Sequence, residues 1–439
     1  MTTTESTTTE NAQDQRRDES RPAQEELTRL LLDAVSTESE ATAEAAPDEQ
    51  PALAEALLRD SMRELASDIH VDPQPTGFRI RLRIDGVVHD GALLAPAEGA
   101  RLVNQIKAMA SIDPVTMSMP AEARIRREID DRRLDLRVTL APCLDGPKFA
   151  IRVLERQRVE QRMDELGLSE RDYQRIQDWL GMLTGMFVVA GPTGVGKTTT
   201  LYALLHEMKL LERCIITLED PVEYSIEGVN QIQIDEEQAL DFPTGIKAAL
   251  HLDPDYLLVG EMRDAPSARA AMDAATAGRT LLTTVHSKDA VGAITAMRNL
   301  GLADHEIAAS TSIVVAQRLV RRLCPQCRRE AKPTEQDRRW LEALGAGTPE
   351  KVWEPVGCDA CNQLGFRGRI GVFEVWVLDD DDRKRLTDHA DSLTLRDHLV
   401  GRDHQFLLDD ALAKAEAGIT GLSELRMPGN AAIPARHVH

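Results

Sequence analysis

The composition of this chain is that of a large, acidic, globular protein. It has 439 residues, of which 42% are hydrophobic, and a formal net charge of −21. A chain of this length exceeds one ordinary hydrophobic core, so two or three domains are expected. The acidic balance argues against a general nucleic-acid-binding role, because neutralising phosphates requires clustered lysine and arginine.

The sequence also bears on cellular location. It contains no run of eighteen apolar residues, so no transmembrane helix is expected. The first ten residues, MTTTESTTTE, lack the basic and apolar segments of a signal peptide. We therefore predict a cytoplasmic protein that reaches a membrane only through partners.

Residues 1–50 are predicted to form a disordered acidic tail. They hold thirteen acidic and four basic side chains and no aromatic residue, so they bury too little apolar surface to offset their ordering entropy. Within the tail, the leucines of residues 25–35 fall on one helical face, and a helix that docks on a partner is the alternative. Residues 427–439 are predicted to be a flexible C-terminus.

Residues 51–155 are predicted to form a small α+β domain. Residues 78–88 alternate apolar and basic side chains, which is typical of a strand, with Asp85 and Gly86 in a turn. The charged residues 156–167 have no strand pattern and are predicted to be a linker. The other predicted elements are helices over 51–66 and 101–112 and strands over 132–140 and 149–154.

Residues 168–426 are predicted to form an α/β domain. Helices alternate there with short apolar runs, which indicates a parallel sheet covered on both faces. We expect a cysteine-bearing subdomain at 320–375 as an insertion in this domain. The four apolar runs are at 186–190, 214–219, 256–261 and 280–286.

The stretch 191–198, GPTGVGKT, matches the phosphate-binding pattern G-x-x-x-x-G-K-[ST]. Its glycines allow a tight turn whose N–H groups point inward as an anion nest, Lys197 adds a charge for the β- and γ-phosphates, and Thr198 offers a hydroxyl to Mg²⁺. An apolar strand precedes the pattern and a helix follows it, as phosphate binding at a helix N-terminus requires. The predicted ATP and Mg²⁺ site comprises Gly191, Pro192, Thr193, Gly194, Val195, Gly196, Lys197, Thr198 and Thr199.

Acidic residues follow two of the predicted strands. Glu261 ends the run at 256–261, as in a Walker B motif, where a carboxylate reaches the Mg²⁺ shell or the attacking water. Glu219 and Glu223 follow the run at 214–219 and suit water activation; a solvated acidic loop is the alternative. His286 ends a third strand at the same sheet edge, where it could sense the γ-phosphate, although a lone histidine is usually structural.

The chain has six cysteines, four of which form two C-x-x-C pairs. Four thiolates satisfy tetrahedral Zn²⁺, and a chain without an export signal favours metal over disulfides. Metal-free thiol pairs are the alternative, and redox chemistry is disfavoured because no thioredoxin-like context is present. Cys143 and Cys214 are predicted to be core thiols. The predicted zinc ligands are Cys324, Cys327, Cys358 and Cys361.

Taken in order, these motifs resemble those of the secretion ATPase superfamily. GPTGVGKTTTLYALL, TLEDPVEY, HLDPDYLLVGEMRD and TTVHSKDA look like its Walker A, Asp-box, Walker B and His-box motifs. QRLVRRLCPQC and GCDACNQLGFRGRIGVFEV are similar to the type II secretion and type IV pilus assembly (extension) ATPases, which carry a tetracysteine zinc site. ASDIHVDP and RLRIDG match that group's N-terminal domain, and the resemblance covers residues 52–426.

The resemblance implies an RecA-like ATPase domain and a preceding PAS-like domain, assembled as a homohexamer that acts on an inner-membrane platform protein. It gives Glu261 the Walker B role, Glu219 and Glu223 the Asp-box roles and His286 the His-box role. Glu223 is expected to orient or deprotonate the attacking water. The arginines implied to project towards the nucleotide are Arg81, Arg83 and Arg137.

The chain also departs from the family pattern. Lys247 and His251 stand where the family has two arginines, residues 116–126 lack its usual basic stretch, and the tail replaces an N-terminal docking domain. The rival functions are a retraction motor, a DNA-uptake or conjugation ATPase and a non-catalytic scaffold. The four cysteines disfavour the first, the net charge the second, and the intact Lys197, Glu223 and Glu261 the third.

Overall fold

In a computed structural model, the chain is described over residues 53–113, 119–155, 161–182, 185–208, 213–402 and 404–426. The predicted tail at 1–50, with its candidate helix, lies outside the described residues. So do residues 116–118 of the stretch 116–126, the linker residues 156–160 and the C-terminus at 427–439. The chain divides into two compact units. The first comprises residues up to Val159 with Cys324–Cys327 and Val356–Arg367, and the second comprises Glu160–Leu323, Arg328–Pro355 and the residues from Gly368 onward.

The first unit is a six-stranded antiparallel sheet packed against two helices. The strand order is β3-β2-β1-β6-β5-β4. Its likeness to PAS domains stays a prediction. Its elements are α1 (Leu53–Arg63), β1 (Ala66–Gln74), β2 (Gly77–Ile84), β3 (Val87–Leu94), α2 (Pro96–Met109), β4 (Ala121–Ile129), β5 (Arg132–Cys143) and β6 (Gly146–Glu155).

Alternating side chains give this sheet one apolar and one charged face. Ile69 and Val71 of β1 are fully buried, whereas Asp68 and His70, which alternate with them along the strand, are half-buried. The hairpin between β2 and β3 turns at Asp85 and Gly86, whose φ angles of 50° and 87° lie in the left-handed region. The predicted turn is therefore confirmed.

The second unit is built on a seven-stranded sheet in the order β15-β12-β7-β11-β10-β8-β9. The strands from β12 to β9 in this order pair in parallel, as the alternation of helices and apolar runs predicts. A two-stranded antiparallel sheet, β13 with β14, stands apart from it. The strands are β7 (Met186–Ala190), β8 (Ile215–Glu219), β9 (Asn230–Gln233), β10 (Tyr256–Val259), β11 (Thr280–Val285), β12 (Thr311–Leu323), β13 (Arg329–Ala331), β14 (Val352–Glu354) and β15 (Phe366–Val377).

The helices from α5 to α13 bury apolar side chains in one core with the sheet. The four central strands β7, β8, β10 and β11 are buried along their whole length, which accounts for their unbroken apolar runs. The helices are α3 (Glu170–Met182), α4 (Lys197–Glu207), α5 (Phe242–Leu250), α6 (Ala265–Thr276), α7 (Ala290–Asn299), α8 (Asp304–Ser310), α9 (Glu335–Ala343), α10 (Asp380–Thr387), α11 (Ser392–Val400), α12 (Leu407–Glu416) and α13 (Leu422–Leu425).

One sequence prediction about the core is wrong. Cys143 is exposed and Cys214 is half-buried, so neither is a core thiol. Cys143 ends β5 in the turn that leads to Gly146, and Cys214 lies just before β8 with its sulfur 3.8 Å from the Leu252 carbonyl oxygen. Both lie where a strand meets its loop, and Cys214 packs against the edge of the second unit's core.

None of the helices in the described part of the chain has the length and apolar character needed to span a membrane.

Candidate active site

The phosphate-binding loop connects the buried strand β7 to helix α4 at one edge of the second unit's sheet. Gly194 and Gly196 have φ angles of 80° and 88°, which side chains rarely adopt. A Cβ at Gly191 would lie 2.8 Å from the backbone oxygen of Gln317. The glycines are thus required both for the turn and for the close approach of β12, and the function of the loop as an anion nest stays a prediction.

Lys197 begins α4 and its ammonium group lies inside the loop. Its Nζ donates to the carbonyl oxygens of Gly191 at 2.9 Å and Pro192 at 3.2 Å. Burial of the ammonium lowers the pKa of Lys197 to about 8, with the Glu261 carboxylate opposing this shift. A bound phosphate chain would place negative charge beside the ammonium group, where the Glu261 carboxylate only partly offsets the effect of burial on the pKa.

Strand β12 holds the glycine-rich loop in place through the side chain of Gln317. Gln317 donates from Nε2 to the Val195 carbonyl oxygen at 2.8 Å, and its Oε1 accepts from the Thr200 hydroxyl at 2.7 Å. Both Gln317 and Thr200 are buried. One amide therefore fixes the loop to the first turn of α4. No sequence pattern points to a role for Gln317, because 117 residues separate it from Thr200.

The threonines predicted to bind phosphate and Mg²⁺ differ in exposure. Thr193 and Thr198 are exposed and Thr199 is half-buried, whereas the next residue, Thr200, is buried. Thr198, directly after Lys197, is thus on the accessible side of the helix N-terminus. An exposed hydroxyl at this position fits a Mg²⁺ ligand, since the ion keeps several water ligands.

Glu261 and His286 come together at the carboxyl edge of the sheet. Glu261 lies just beyond β10 and His286 just beyond β11, and the His286 Nε2 is 3.3 Å from a Glu261 carboxylate oxygen. Arg263 contacts the other Glu261 oxygen and also binds Asp220 at 2.6 Å. Two acids and a histidine from three strand ends therefore form one charged cluster beside Lys197, as parallel strands dictate.

Arg263 was not identified as a site residue from the sequence. It follows Glu261 by two positions, and its guanidinium also lies 5.6 Å from the centre of the Phe242 ring. The only available signal is its place within GEMRD, directly after the Walker B acid. The arginine joins the strand-end acids Glu261 and Asp220, which are 41 positions apart in the chain.

The two Asp-box acids lie in different environments. Glu219 is 3% exposed and accepts hydrogen bonds from the hydroxyls of Thr217, at 2.6 Å, and Tyr202. Burial raises the pKa of Glu219 and also raises that of Tyr202. Glu223 is half-buried in the loop after β8. Of the two carboxyl groups, Glu223 is therefore the more accessible to a water molecule or a nucleotide.

The three arginines predicted to project towards the nucleotide belong to the charged face of the first unit. Arg81 donates to Asp72 at 2.6 Å, and Arg83 lies 3.6 Å from Asp68 and donates to the Gly86 carbonyl oxygen. Arg137 is half-buried, and among the described residues its Nη2 has no hydrogen-bond partner. The role of these arginines at a nucleotide stays a prediction.

The four predicted zinc ligands come together in one cluster. Their sulfur atoms all lie within 4.8 Å of one another, and three of the separations are 3.8 to 3.9 Å. A tetrahedral Zn²⁺ with Zn–S bonds of about 2.3 Å requires sulfur separations of about 3.8 Å. The arrangement therefore fits a tetracysteine zinc site formed by Cys324, Cys327, Cys358 and Cys361.

Backbone N–H groups complete the cysteine cluster. The N–H of Gly357 donates to the Cys327 sulfur at 3.3 Å, and that of Gly365 donates to the Cys361 sulfur at 3.2 Å. Gly357 has a φ of 105°, and a Cβ there would lie 2.7 Å from the Gln363 carbonyl oxygen. N–H donors to sulfur stabilise thiolate over thiol, which is the form that binds a metal.

Comparison with known proteins identifies the family of this chain. The family model described as type II/IV secretion system protein matches residues 44–427. The type II secretion system protein E of Aeromonas hydrophila is 37% identical over 376 residues, which is 85% of this chain and 74% of that protein. The type IV pilus assembly ATPase PilB of Myxococcus xanthus is 34% identical over 391 residues, covering 87% of this chain and 68% of PilB.

A solved structure shows the same fold. The ATPase DotB of Legionella pneumophila is 19% identical and matches with a TM-score of 0.62, over 87% of this chain and 96% of DotB. The α/β fold expected from the sequence is thereby confirmed. Since the family model spans most of the chain and relatives above 30% identity cover it equally, this chain belongs to the family of type II/IV secretion system proteins.

Proposed function

We propose that this protein is a Mg²⁺-dependent ATPase that powers type IV pilus assembly or type II protein secretion. The observation that carries the proposal is the cluster at one sheet edge: Lys197 within the glycine-rich loop, with His286 and Glu261 beside it. A nest of N–H groups with one lysine and an adjacent acid suits hydrolysis of a γ-phosphate by water. The names of the type II secretion and pilus assembly relatives support the choice of process.

In this proposal each residue has its own role in the reaction. The loop and Lys197 would bind the phosphates, Thr198 and Glu261 would hold Mg²⁺, and Glu223 would orient or deprotonate the attacking water. Mg²⁺ supplies charge neutralisation on the β- and γ-phosphates when it is bound. Positioning and electrostatics provide most of the rate enhancement, since phosphoryl transfer needs little covalent chemistry from the protein.

We further propose the assembly in which the ATPase acts. Six copies form a ring that associates with an inner-membrane platform protein, without direct contact to nucleic acid, and hydrolysis changes the arrangement of domains within the ring. The zinc site favours the assembly and secretion branch over a retraction motor, because the resemblance ties four cysteines to that branch. Its role is to stabilise a subdomain.

Two variants and one control test the proposal. Lys197→Ala removes the loop's ammonium and should abolish ATP hydrolysis, while Lys332→Ala, at an exposed position, should leave it unchanged. Glu223→Gln should keep nucleotide binding and reduce hydrolysis by about two to three orders of magnitude. Phosphate release by the purified proteins is the measurement, and appreciable turnover by Lys197→Ala would refute the catalytic assignment.

The biological process is tested in the source cell. A strain lacking the gene should lose surface pili or secreted proteins, and the wild-type gene should restore them where the Lys197→Ala gene does not. Restoration by the Lys197→Ala gene would show that hydrolysis does not drive the process. A strain that retains both pili and secretion would refute the proposed function itself.

A further inference from the structure

The loop that carries Glu223 is held to strand β9 by the side chain of Gln231. Strand β9 runs parallel to β8, and Gln231 lies opposite Thr217 in the register. Its carboxamide reaches back into the loop: Nε2 donates to the Tyr224 carbonyl oxygen at 3.0 Å and Oε1 accepts from the Ile226 N–H at 2.7 Å. The backbone on the C-terminal side of Glu223 is therefore fixed to the sheet by an amide that acts as both donor and acceptor.

The same amide meets the buried Glu219. Gln231 Nε2 lies 3.3 Å from a Glu219 carboxyl oxygen and 3.3 Å from the Tyr202 hydroxyl. Glu219 also receives the hydroxyls of Thr217 and Tyr202. Both Glu219 carboxyl oxygens are thus hydrogen-bonded within the protein, and the residue is 3% exposed. This carboxyl group serves as an anchor at the start of the loop.

Tyr202 connects this anchor to the phosphate-binding loop. It lies on α4, the helix that begins with Lys197, and its side chain is 1% exposed. Its ring packs edge-on against Tyr224, with the centroids 4.7 Å apart and the planes at 77°. Tyr202 therefore contacts both ends of the segment that carries Glu223, through its hydroxyl at Glu219 and its ring at Tyr224.

We infer that Gln231 and Tyr202 are positioning residues, which hold Glu223 at a fixed place relative to the phosphates bound at the start of α4. The inference rests on the proposed role of Glu223. An apolar side chain at position 231 would leave the Tyr224 carbonyl and the Ile226 N–H without this partner and free the loop. A displacement of about 1 Å at a reacting group can cost on the order of a hundredfold in rate.

The experiment compares Gln231→Leu and Tyr202→Phe with a control on the same strand. Gln233 is exposed at the end of β9, opposite Glu219 in the register, so Gln233→Leu makes the same chemical change at an exposed side chain of the same strand. We expect Gln231→Leu to lower kcat at least about tenfold with KM for ATP little changed, since loss of positioning affects the chemical step. Tyr202→Phe keeps the ring contact and should lose less, and Gln233→Leu should retain wild-type kcat.

A double mutant separates positioning from a general structural effect. If Gln231 acts through Glu223, adding Gln231→Leu to Glu223→Gln should cause no further loss in single-turnover hydrolysis. An equal further loss in that background, a rise in KM without a fall in kcat, or unchanged kcat in Gln231→Leu would overturn the inference. If Gln231→Leu does not fold, as judged by thermal melting, the same cycle with Tyr202→Phe decides.

The cycle also distinguishes this inference from the function on which it rests. Glu223→Gln with wild-type turnover would refute the role of Glu223. Glu223→Gln without turnover, together with fully active Gln231→Leu and Tyr202→Phe, would leave that role intact and refute only the positioning network.

Discussion

The imidazole Nδ1 of His286 lies 3.4 Å from the Nζ of Lys197. Because an ammonium group only donates, Nδ1 is the acceptor, and the opposite ring nitrogen carries the hydrogen that faces Glu261 at 3.3 Å. The tautomer follows from these two partners. His286 thus links Lys197 to Glu261, the predicted Walker B acid, and we expect a γ-phosphate that contacts Lys197 to meet the imidazole as well.

This geometry predicts the effect of removing the imidazole. His286→Ala should lower the rate of ATP hydrolysis by about ten- to a hundredfold, because a group near the transferring phosphate is lost while the glycine-rich loop stays intact. Nucleotide affinity, measured with a fluorescent ATP analogue, should change little. His206→Ala, on an exposed position of α4, is the matched control, and a catalytic rate equal to the control would make His286 structural.

The pKa of Lys197 predicts proton uptake on nucleotide binding. Burial lowers this pKa from 10.5 to about 8, and phosphate charge in the loop favours the protonated form and raises it again. Above about pH 8 the protein must therefore take up a proton to bind ATP, and affinity should fall with rising pH, by at most about tenfold per unit. Calorimetry in buffers of different ionisation enthalpy near pH 8.5 measures the uptake; binding without it would contradict the prediction.

The cysteine cluster predicts a bound metal. Purified protein should contain about one zinc per chain, and Cys361→Ala should lose it, because four thiolates with sulfur separations near 3.8 Å fit a tetrahedral ion. Cys143→Ala removes an exposed thiol outside the cluster and should keep the zinc. Elemental analysis without zinc, together with native alkylation of all four cluster thiols, would refute the site.

The sequence predicted the central strands well because each is buried along its whole length. It did not predict β4, whose buried side chains are Ile125 and Ile129. These two are four residues apart, a helical spacing, and β4 is an edge strand whose other positions are largely exposed. An edge strand of this kind lacks the alternating pattern from which strands are predicted.

At the site, the sequence predicted which acids lie near the sheet edge but not how each is used. Side chains that follow parallel strands meet at one edge of the sheet, so the proximity of Glu261 and His286 is predictable from the sequence. The burial of Glu219 depends on Tyr202 and Gln231, which are 17 and 12 residues away from it. No spacing rule links these three positions, and their contacts follow from the packing of α4 and β9 on β8.

The departures at Lys247 and His251 yield the last prediction. Both side chains are exposed, Lys247 in the last turn of α5 and His251 directly after that helix. The nearby acids are engaged elsewhere, Asp253 by Arg279 at 3.1 Å and Asp255 by the Cys214 N–H at 2.8 Å. Arginine offers a rigid bidentate fork to phosphate or carboxylate that lysine and histidine do not.

We therefore expect the isolated protein to hydrolyse ATP slowly until a partner completes the contact between subunits. Lys247→Arg combined with His251→Arg should raise the rate of phosphate release without partners several-fold, on the scale of about 1 kcal/mol for one added charged contact. Ala248→Arg adds a positive charge at another exposed position of the same helix and should have no such effect. Both positions are solvent-exposed. A rate of phosphate release by the double variant that is equal to or below that of the wild type would therefore show that Lys247 and His251 are solvated surface residues with no part in catalysis.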